Sequence, residues 1–447
     1  MKKILYLFIL CGFSFQLSIA QSTQTQGKAD YHGQLSINGS KIVNQYSDTV
    51  SFAGPSLFWS NSWWGGDKYY TADVVDWVAQ DWDATIIRAA MGVDESGGYL
   101  TSAQNKTANY DRVITVIDAA IDNEMYVIVD WHSHQAENNQ TEAINFFSAI
   151  AQEYGDNPHI IYEIYNEPLD VSWSTVIKPY AEAVIAAIRQ HDPDNIIVVG
   201  TPVWSQKVDD AAANPITGYD NIAYTAHFYA GTHTQWLRDR IVDAMDDGIA
   251  IIITEWGTVD ANGDGGVDTE SSDAWVAFMK EHDITHCNWA LNDKNEGASA
   301  LVSGVSEYGY WDDSDLTTSG TYVYEVIKNW EGSLIPEDGD GNEEPEEPQN
   351  PEEPEEPEEP AVSVDNFNQN KNPNVFVNNA QELIIQLPDN FKNASYSIYS
   401  QQGQKLVYQN NVNTQLSKVS LYDYLPGFYI VQLRVNNALH QYKIIKK

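Results

Sequence analysis

From residue 50 to residue 291 the chain alternates between two hydrophobic patterns. Short runs rich in β-branched or aromatic residues occur at VSFAGPS (50–56), ATIIRAA (84–90), YVIVDWH (126–132), IIYEIYN (160–166), IIVVGTP (196–202), IAYTAHFY (222–229), IAIIITEW (249–256) and THCNWAL (285–291). Between them lie stretches such as YDRVITVIDAAIDNE and IKPYAEAVIAAIRQH, whose apolar residues recur at intervals of three and four, the spacing that lines one face of a helix. Eight strand-like runs alternating with helices predict an α/β fold, a (β/α)8 TIM barrel, with a doubly wound open sheet as the alternative. Ahead of the first run, LSINGSKIVN carries Asn38-Gly39 between alternating residues, which predicts a small hairpin capping the barrel floor.

The pattern changes sharply after residue 336. Residues 337–360, ending in PEEPEEPEEP, offer no apolar side chain to a core; proline extends the backbone and the glutamates repel one another, so this is a stiff acidic linker. Residues 361–447 alternate with period two, as in SYSIYSQQGQKLVYQ and GFYIVQLRVNNALHQYKIIKK, and predict a small all-β sandwich. At the other end, MKKILYLFILCGFSFQLSIAQS pairs Lys2 and Lys3 with an apolar run and small residues before Gln21, the layout of a cleaved signal peptide over 1–20. A lipoprotein reading through Cys11 is disfavoured by the bulky Leu10 before it. The barrel is thus assigned to 21–336. Cys287 is then the only cysteine of the mature chain, which excludes an internal disulfide and leaves the core to hold itself together.

Charge narrows the partners. A net charge of −40 repels nucleic acid and anionic membranes, leaving a neutral polymer as the easy partner, although solubility alone accounts for the charge equally well. No stretch after the signal segment is long and apolar enough to span a bilayer.

In a barrel of this kind the chemistry collects at the C-terminal ends of the strands. Read off there, the runs present Arg88, His132, Asn166 with Glu167, His227 with Tyr229, Glu255 and Trp289. Each singly has a structural reading, as an ion pair, a satisfied core histidine or rim packing. Chance does not readily bring all of them to one face. Glu167 on the fourth strand and Glu255 on the seventh are expected to face each other across the mouth, as glycosidic cleavage requires: one carboxyl attacks or activates water at the anomeric carbon and the other protonates the leaving oxygen. Arg88 beside Glu255 favours the anion, and Asn166 is placed to hold a sugar hydroxyl. Glu163 shares strand parity with Glu167 but is expected about 13 Å deeper, at roughly 3.3 Å per residue, in a buried polar network. Loops near the mouth supply Trp59, Trp63, Trp64 and Trp204, flat rings that suit the apolar faces of a pyranose. The loop DANGDGGVD (260–268) lacks the ligand alternation of a calcium site and reads as solvated.

The segments RAAMG, VIVDWH, YEIYNEP, AHFYAG, IITEWG and WALNDKNEGASAL resemble, in order and spacing, the bacterial endoglucanases of glycoside hydrolase family 5, clan A, over roughly residues 30–332. That resemblance implies Glu167 as acid/base, Glu255 as nucleophile, and Arg88, His132, Asn166, His227, Tyr229 and Trp289 as the substrate and positioning shell, with Lys294 and Glu296 on the glycone side. It also implies a retaining endo-β-1,4-glucanase that needs no metal or cofactor and acts as a monomer. Alternatives are a mannanase, xyloglucanase or lichenase on the same barrel, or a non-catalytic glucan-binding surface protein. The tail resembles the C-terminal sorting domain of the Bacteroidetes type IX secretion system, which implies export and a secretion-machinery partner; a small carbohydrate-binding sandwich is the other reading.

Overall fold

The computed structural model describes residues 28–335 and, in the C-terminal segment, strands between 374 and 446 with a few adjoining residues. The expected signal segment 1–20 and linker 337–360 lie outside the described residues. The chain divides into two compact units near residue 345.

The first unit opens with the expected hairpin, β1 (Ser36–Asn38) antiparallel to β2 (Lys41–Val43). Its turn needs a left-handed residue, and Gly39 supplies one at φ +61°. The strands β3 (Ala53–Leu57), β4 (Ile86–Gly92), β5 (Tyr126–His132), β6 (Ile160–Glu163), β7 (Ile197–Val199), β8 (Ile222–Thr225), β10 (Ala250–Gly257) and β11 (His286–Leu291) pair in that order, all parallel. Because β11 pairs back to β3, the sheet closes into an eight-stranded barrel and the open-sheet alternative falls away. The short β9 (Phe228–Tyr229) continues the course of β8 against the end of β10. Helices cross between the strands, and several start where a side chain caps the first turn: Thr71, Ser102, Asp268 and Thr317 each accept a backbone N–H of the helix they precede.

Period-two alternation sorts the strand residues into two apolar layers. Ile86, Ile128, Ile161, Val198, Ala223, Ile252 and Cys287 fill the lower barrel interior, and Leu35 and Ile42 from the hairpin region close it from below. Their neighbours Ile87, Val127, Val129, Tyr162, Val199, Tyr224 and Ile251 face the helices. Burial of each such aliphatic side chain contributes about 1.5–3 kcal/mol. With the lower interior packed by hydrocarbon, the same parity brings Arg88, Asp130 and Glu163 into the upper interior, where all three are fully buried.

On β10 the alternation breaks in a useful place. Ala250 and Ile252 point inward, so Thr254 does too, and Glu255 should then face the helices. Instead the register against β11 shifts between Ile253 and Trp256, and Trp256 joins the outer core. This bulge aims two consecutive side chains, Thr254 and Glu255, into the barrel.

The second unit holds seven described strands in two antiparallel sheets. One orders β12 (Asn374–Val377), β13 (Glu382–Gln386) and β16 (Leu416–Ser420); the other orders β15 (Lys405–Gln409), β14 (Ala394–Tyr399), β17 (Gly427–Val435) and β18 (Ala438–Lys446). Val375, Leu383 and Ile385 of the first sheet share one core with Tyr396, Ile398, Val431 and Leu433 of the second. This is the expected all-β sandwich.

Candidate active site

β6 ends at Glu163, three residues before the expected end of the run. Residues 164–167 lie beyond the strand, with a bend at Asn166, after Ile164 N–H has bonded Val198 O at 3.0 Å. The expected depth of Glu163 below Glu167 is therefore corrected: the two carboxylates flank one imidazole. His227 Nδ1 lies 3.0 Å from Glu167 Oε1, and Nε2 lies 3.8 Å from Glu163 Oε1. Gly200 makes the exit possible, since a Cβ there would come 2.2 Å from Tyr165 O and 2.8 Å from Pro168 Cδ.

Glu255 meets Glu167 across the mouth. The facing atoms of Glu167, His227 and Glu255 all lie within 4.8 Å of one another. These three form the one acidic and histidine cluster among the described residues close enough to consider for a metal. Their side-chain oxygens and nitrogens, however, are already engaged in hydrogen bonds, the marks of a proton-handling site. Facing atoms within 4.8 Å lie nearer the roughly 5–5.5 Å of carboxyl pairs in which one group attacks carbon directly than the roughly 6.5–9.5 Å that admits a water.

Arg88 organises the floor of the site. It is the third of seven residues in β4, below the expected strand-end position, and its long side chain makes up the height. Its guanidinium forks to Glu163 Oε2 at 2.7 Å, Asp130 Oδ2 at 2.9 Å and Glu255 Oε2 at 3.0 Å, and donates to Asn166 Oδ1 at 2.6 Å. The Asn166 amide is thereby oriented, leaving its buried Nδ2 with no protein acceptor and available to a ligand. Tyr229 O–H donates to the other Glu255 oxygen at 2.8 Å. His132 Nδ1 bonds Asp130 at 2.6 Å while its ring lies parallel to Trp289 at 5.0 Å and edge-on to Trp59 at 4.3 Å.

The two glutamates are held in different ways. Burial and the Glu167 charge push the Glu255 carboxyl upward, against His227, Arg88 and Tyr229, which favour its anion. Burial also raises Glu167, but hydrogen bonds from His134 and His227 outweigh it and draw the carboxyl well down. Burial disfavours a charged His227, yet Glu163 and Glu167 hold its titration up to about 9. Near neutral pH the Glu167–His227 pair therefore carries a proton, whereas Arg88, fixed as a cation, grips Glu255 as the carboxylate.

Around this centre the rim residues assemble. Lys294 pairs with Glu296 and sits 5.5 Å from the Trp64 ring and 5.3 Å from Phe58. Trp204 stands half exposed beside the fourth strand's exit, in a three-residue left-handed turn, Val203–Ser205, with φ of 58°, 52° and 56°. Left-handed backbone costs a non-glycine residue about 1–2 kcal/mol. Here it is held by Trp204 N–H to Pro168 O at 2.8 Å and Ser205 O–H to Asn166 O at 2.8 Å. Trp63 is strongly exposed. Two participants have no place in the sequence reading. His134 Nε2 contacts Glu167 Oε2 at 3.2 Å, and its spacing of two from His132 was the signal for it. Thr254 bonds both Glu163 and His227.

Residues 43–295 match the family described as cellulase (glycosyl hydrolase family 5), and residues 376–447 match the secretion system C-terminal sorting domain. Endoglucanase Z of Dickeya dadantii is 54% identical over 325 residues, 72% of each chain. An endoglucanase of Clostridium saccharobutylicum is 44% identical over 328 residues, 72% of this chain and 70% of that one. Among solved structures, a protein from Cytophaga hutchinsonii is 50% identical with a TM-score of 0.65, covering 67% of this chain and 96% of that one. The catalytic domain of Thermobifida fusca endoglucanase Cel5A is 33% identical with a TM-score of 0.63, covering 68% and 99%. This chain belongs to glycosyl hydrolase family 5, and carries a secretion sorting domain at its C-terminus.

Proposed function

We propose that the chain is a secreted endo-β-1,4-glucanase in which Glu255 is the nucleophile and Glu167, with His227, the acid/base. The observation that carries the reading is the pair of facing carboxylates within 4.8 Å, one gripped by a fixed cation and the other by imidazoles. Glu255 attacks the anomeric carbon as the glycosidic C–O bond breaks and the leaving oxygen takes the proton from Glu167. Water then attacks the same carbon, gives its proton to Glu167 and displaces Glu255. Asn166 Nδ2 is the donor for a sugar hydroxyl next to the reacting carbon, and Trp59, Trp64, Trp204 and Trp289 are the stacking surfaces. Lys294 and Glu296 are assigned to the glycone side. All of these groups come from a single copy of the chain, which suits a monomer.

Activity tests this reading against two others. On carboxymethylcellulose the viscosity should fall well before reducing ends accumulate; cellobiose as the sole early product would mark an exo-enzyme. A protein that binds the polymer and releases no reducing sugar would be a non-catalytic binder. A panel of β-1,4-glucan, lichenan, xyloglucan and mannan separates the glucanase from its neighbours on the same barrel. The residue roles have their own test in azide. Glu167→Ala should still be glycosylated by an activated aryl cellobioside, then stall, and azide should release a β-glycosyl azide; Glu255→Ala should give only the α-azide. We assign 1–20 to a signal peptide and 337–360 to a linker, so that residues 21–336 alone should retain activity on soluble substrate.

A further inference from the structure

Thr254 precedes Glu255 in the sequence, and the β10 bulge turns both side chains into the barrel. Its hydroxyl is fully buried and has three polar neighbours: Glu163 Oε1 at 2.6 Å, Thr225 Oγ1 at 2.7 Å and His227 Nε2 at 2.9 Å. A hydroxyl owns one proton and can accept two. Glu163 is ionised by its contact with Arg88 Nε and can only accept, so the Thr254 proton is committed to Glu163. What remains on the Thr254 oxygen is acceptor capacity, and His227 Nε2 must bring a proton to meet it. The opposite ring nitrogen, Nδ1, faces Glu167 Oε1.

We propose that Thr254, locked by Glu163, fixes the proton on His227 Nε2, so that the proton His227 exchanges at Nδ1 is the one Glu167 delivers to the leaving group. Thr254 is thus a positioning residue acting through His227. In the loaded pair, Nδ1–H points at the Glu167 carboxylate. Loss of that proton leaves an imidazole lone pair facing a carboxylate in a buried site, an unfavourable contact, so the pair keeps its proton to higher pH. If Nε2–H lost its acceptor, the deprotonated ring could take the other tautomer, with Nδ1–H donating to Glu167, and the proton would leave more easily.

Other charges face the pair. His227 meets Glu163 and Glu167 from the β6 side, Glu255 from β10, and Asp130 and His132 from β5. Glu167 also meets His134, Tyr229 and His233. Of these, only Glu163 Oε1 approaches His227 Nε2, at 3.8 Å, and the Thr254 hydroxyl at 2.9 Å stands closer to that nitrogen.

The inference rests on Glu167 as acid/base, and the test separates the two. Thr254→Val keeps the shape and removes the acceptor; the alkaline limb of kcat/KM should move about one pH unit toward acid, the scale of one charge-assisted hydrogen bond. Thr254→Ser should restore the wild-type limb. Nitrogen-15 NMR of His227 in the full-length protein above that limb should show the Nε2–H tautomer in the wild type and Nδ1–H in Thr254→Val. The wild-type spectrum needs no variant to fold. An Nδ1–H tautomer in the wild type, or equal limbs for wild type and Thr254→Val, overturns the proposal. If Glu167 were not the acid/base, Glu167→Ala would keep the alkaline limb, a failure of the underlying reading and not of the Thr254 lock.

Discussion

Arg88 Nη1 lies 3.0 Å from Glu255 Oε2, with the arginine side chain at 0% exposure and the glutamate at 5%. The same guanidinium holds Asp130 and Glu163, and it is the one arginine in contact with these three carboxylates. Burial works against the arginine charge, but the three carboxylates hold it well up, so it is a cation at every working pH.

The first prediction concerns that hub. Arg88→Met should strand three buried carboxylates and cost about 3–5 kcal/mol of stability. Arg88→Lys keeps the charge but lacks the planar fork, and should fold with turnover reduced at least tenfold, because one ammonium cannot serve Asp130, Glu163, Glu255 and Asn166 together. Urea midpoints and kcat of the two variants check this.

The second prediction concerns the rim. Trp204 occupies left-handed backbone, where glycine fits without strain, so Trp204→Gly should preserve the turn while removing the ring. KM on a soluble glucan should rise roughly tenfold, about 1.4 kcal/mol of lost contact, with the unfolding midpoint unchanged. A fall in stability without a change in KM would make the ring a packing element.

Much of this site was legible from the ends of the strand-like runs, and where it was not, the reason lies in particular residues. Period two carried Arg88 and His132 inward because β4 and β5 are regular, whereas His227 lies in the short break between β8 and β9. The alternation failed at Glu255, which parity would turn toward the helices, since parity gives a side chain's direction only until a bulge inserts a residue, and apolar patterning does not announce one. Glu163 and Glu167 were expected far apart because the run Ile160–Asn166 reads as a continuous strand, whereas the strand ends at Glu163 and the chain bends at Asn166. His134 lies in the loop two residues beyond β5, where no strand dictates direction, so its spacing of two from His132 is the one sequence hint of its contact with Glu167.

The third prediction concerns pH and stability. His286 Nδ1 accepts the Trp256 indole N–H at 3.0 Å, and burial, aided by the Lys280 charge, drags its titration down to about 3. The unfolded chain protonates this ring near pH 6.5 while the folded chain refuses the proton. Its contribution is therefore full above pH 6.5 and is lost progressively as pH falls toward 3, on the order of 3 kcal/mol by pH 4. His286→Gln, which keeps an acceptor for Trp256, should lose less stability than the wild type between pH 7 and 4. Parallel urea curves across that range would contradict the assignment.

The central claim is that Glu255 attacks the anomeric carbon directly. The carboxyl gap leaves no room for water on that face, so two displacements occur at one carbon and the product keeps its configuration. Proton NMR of the first-formed reducing end, recorded before mutarotation, tests this most directly. The account predicts the β anomer from the wild-type enzyme; an initial α anomer would mean a single inverting displacement and would remove Glu255 from the role of nucleophile.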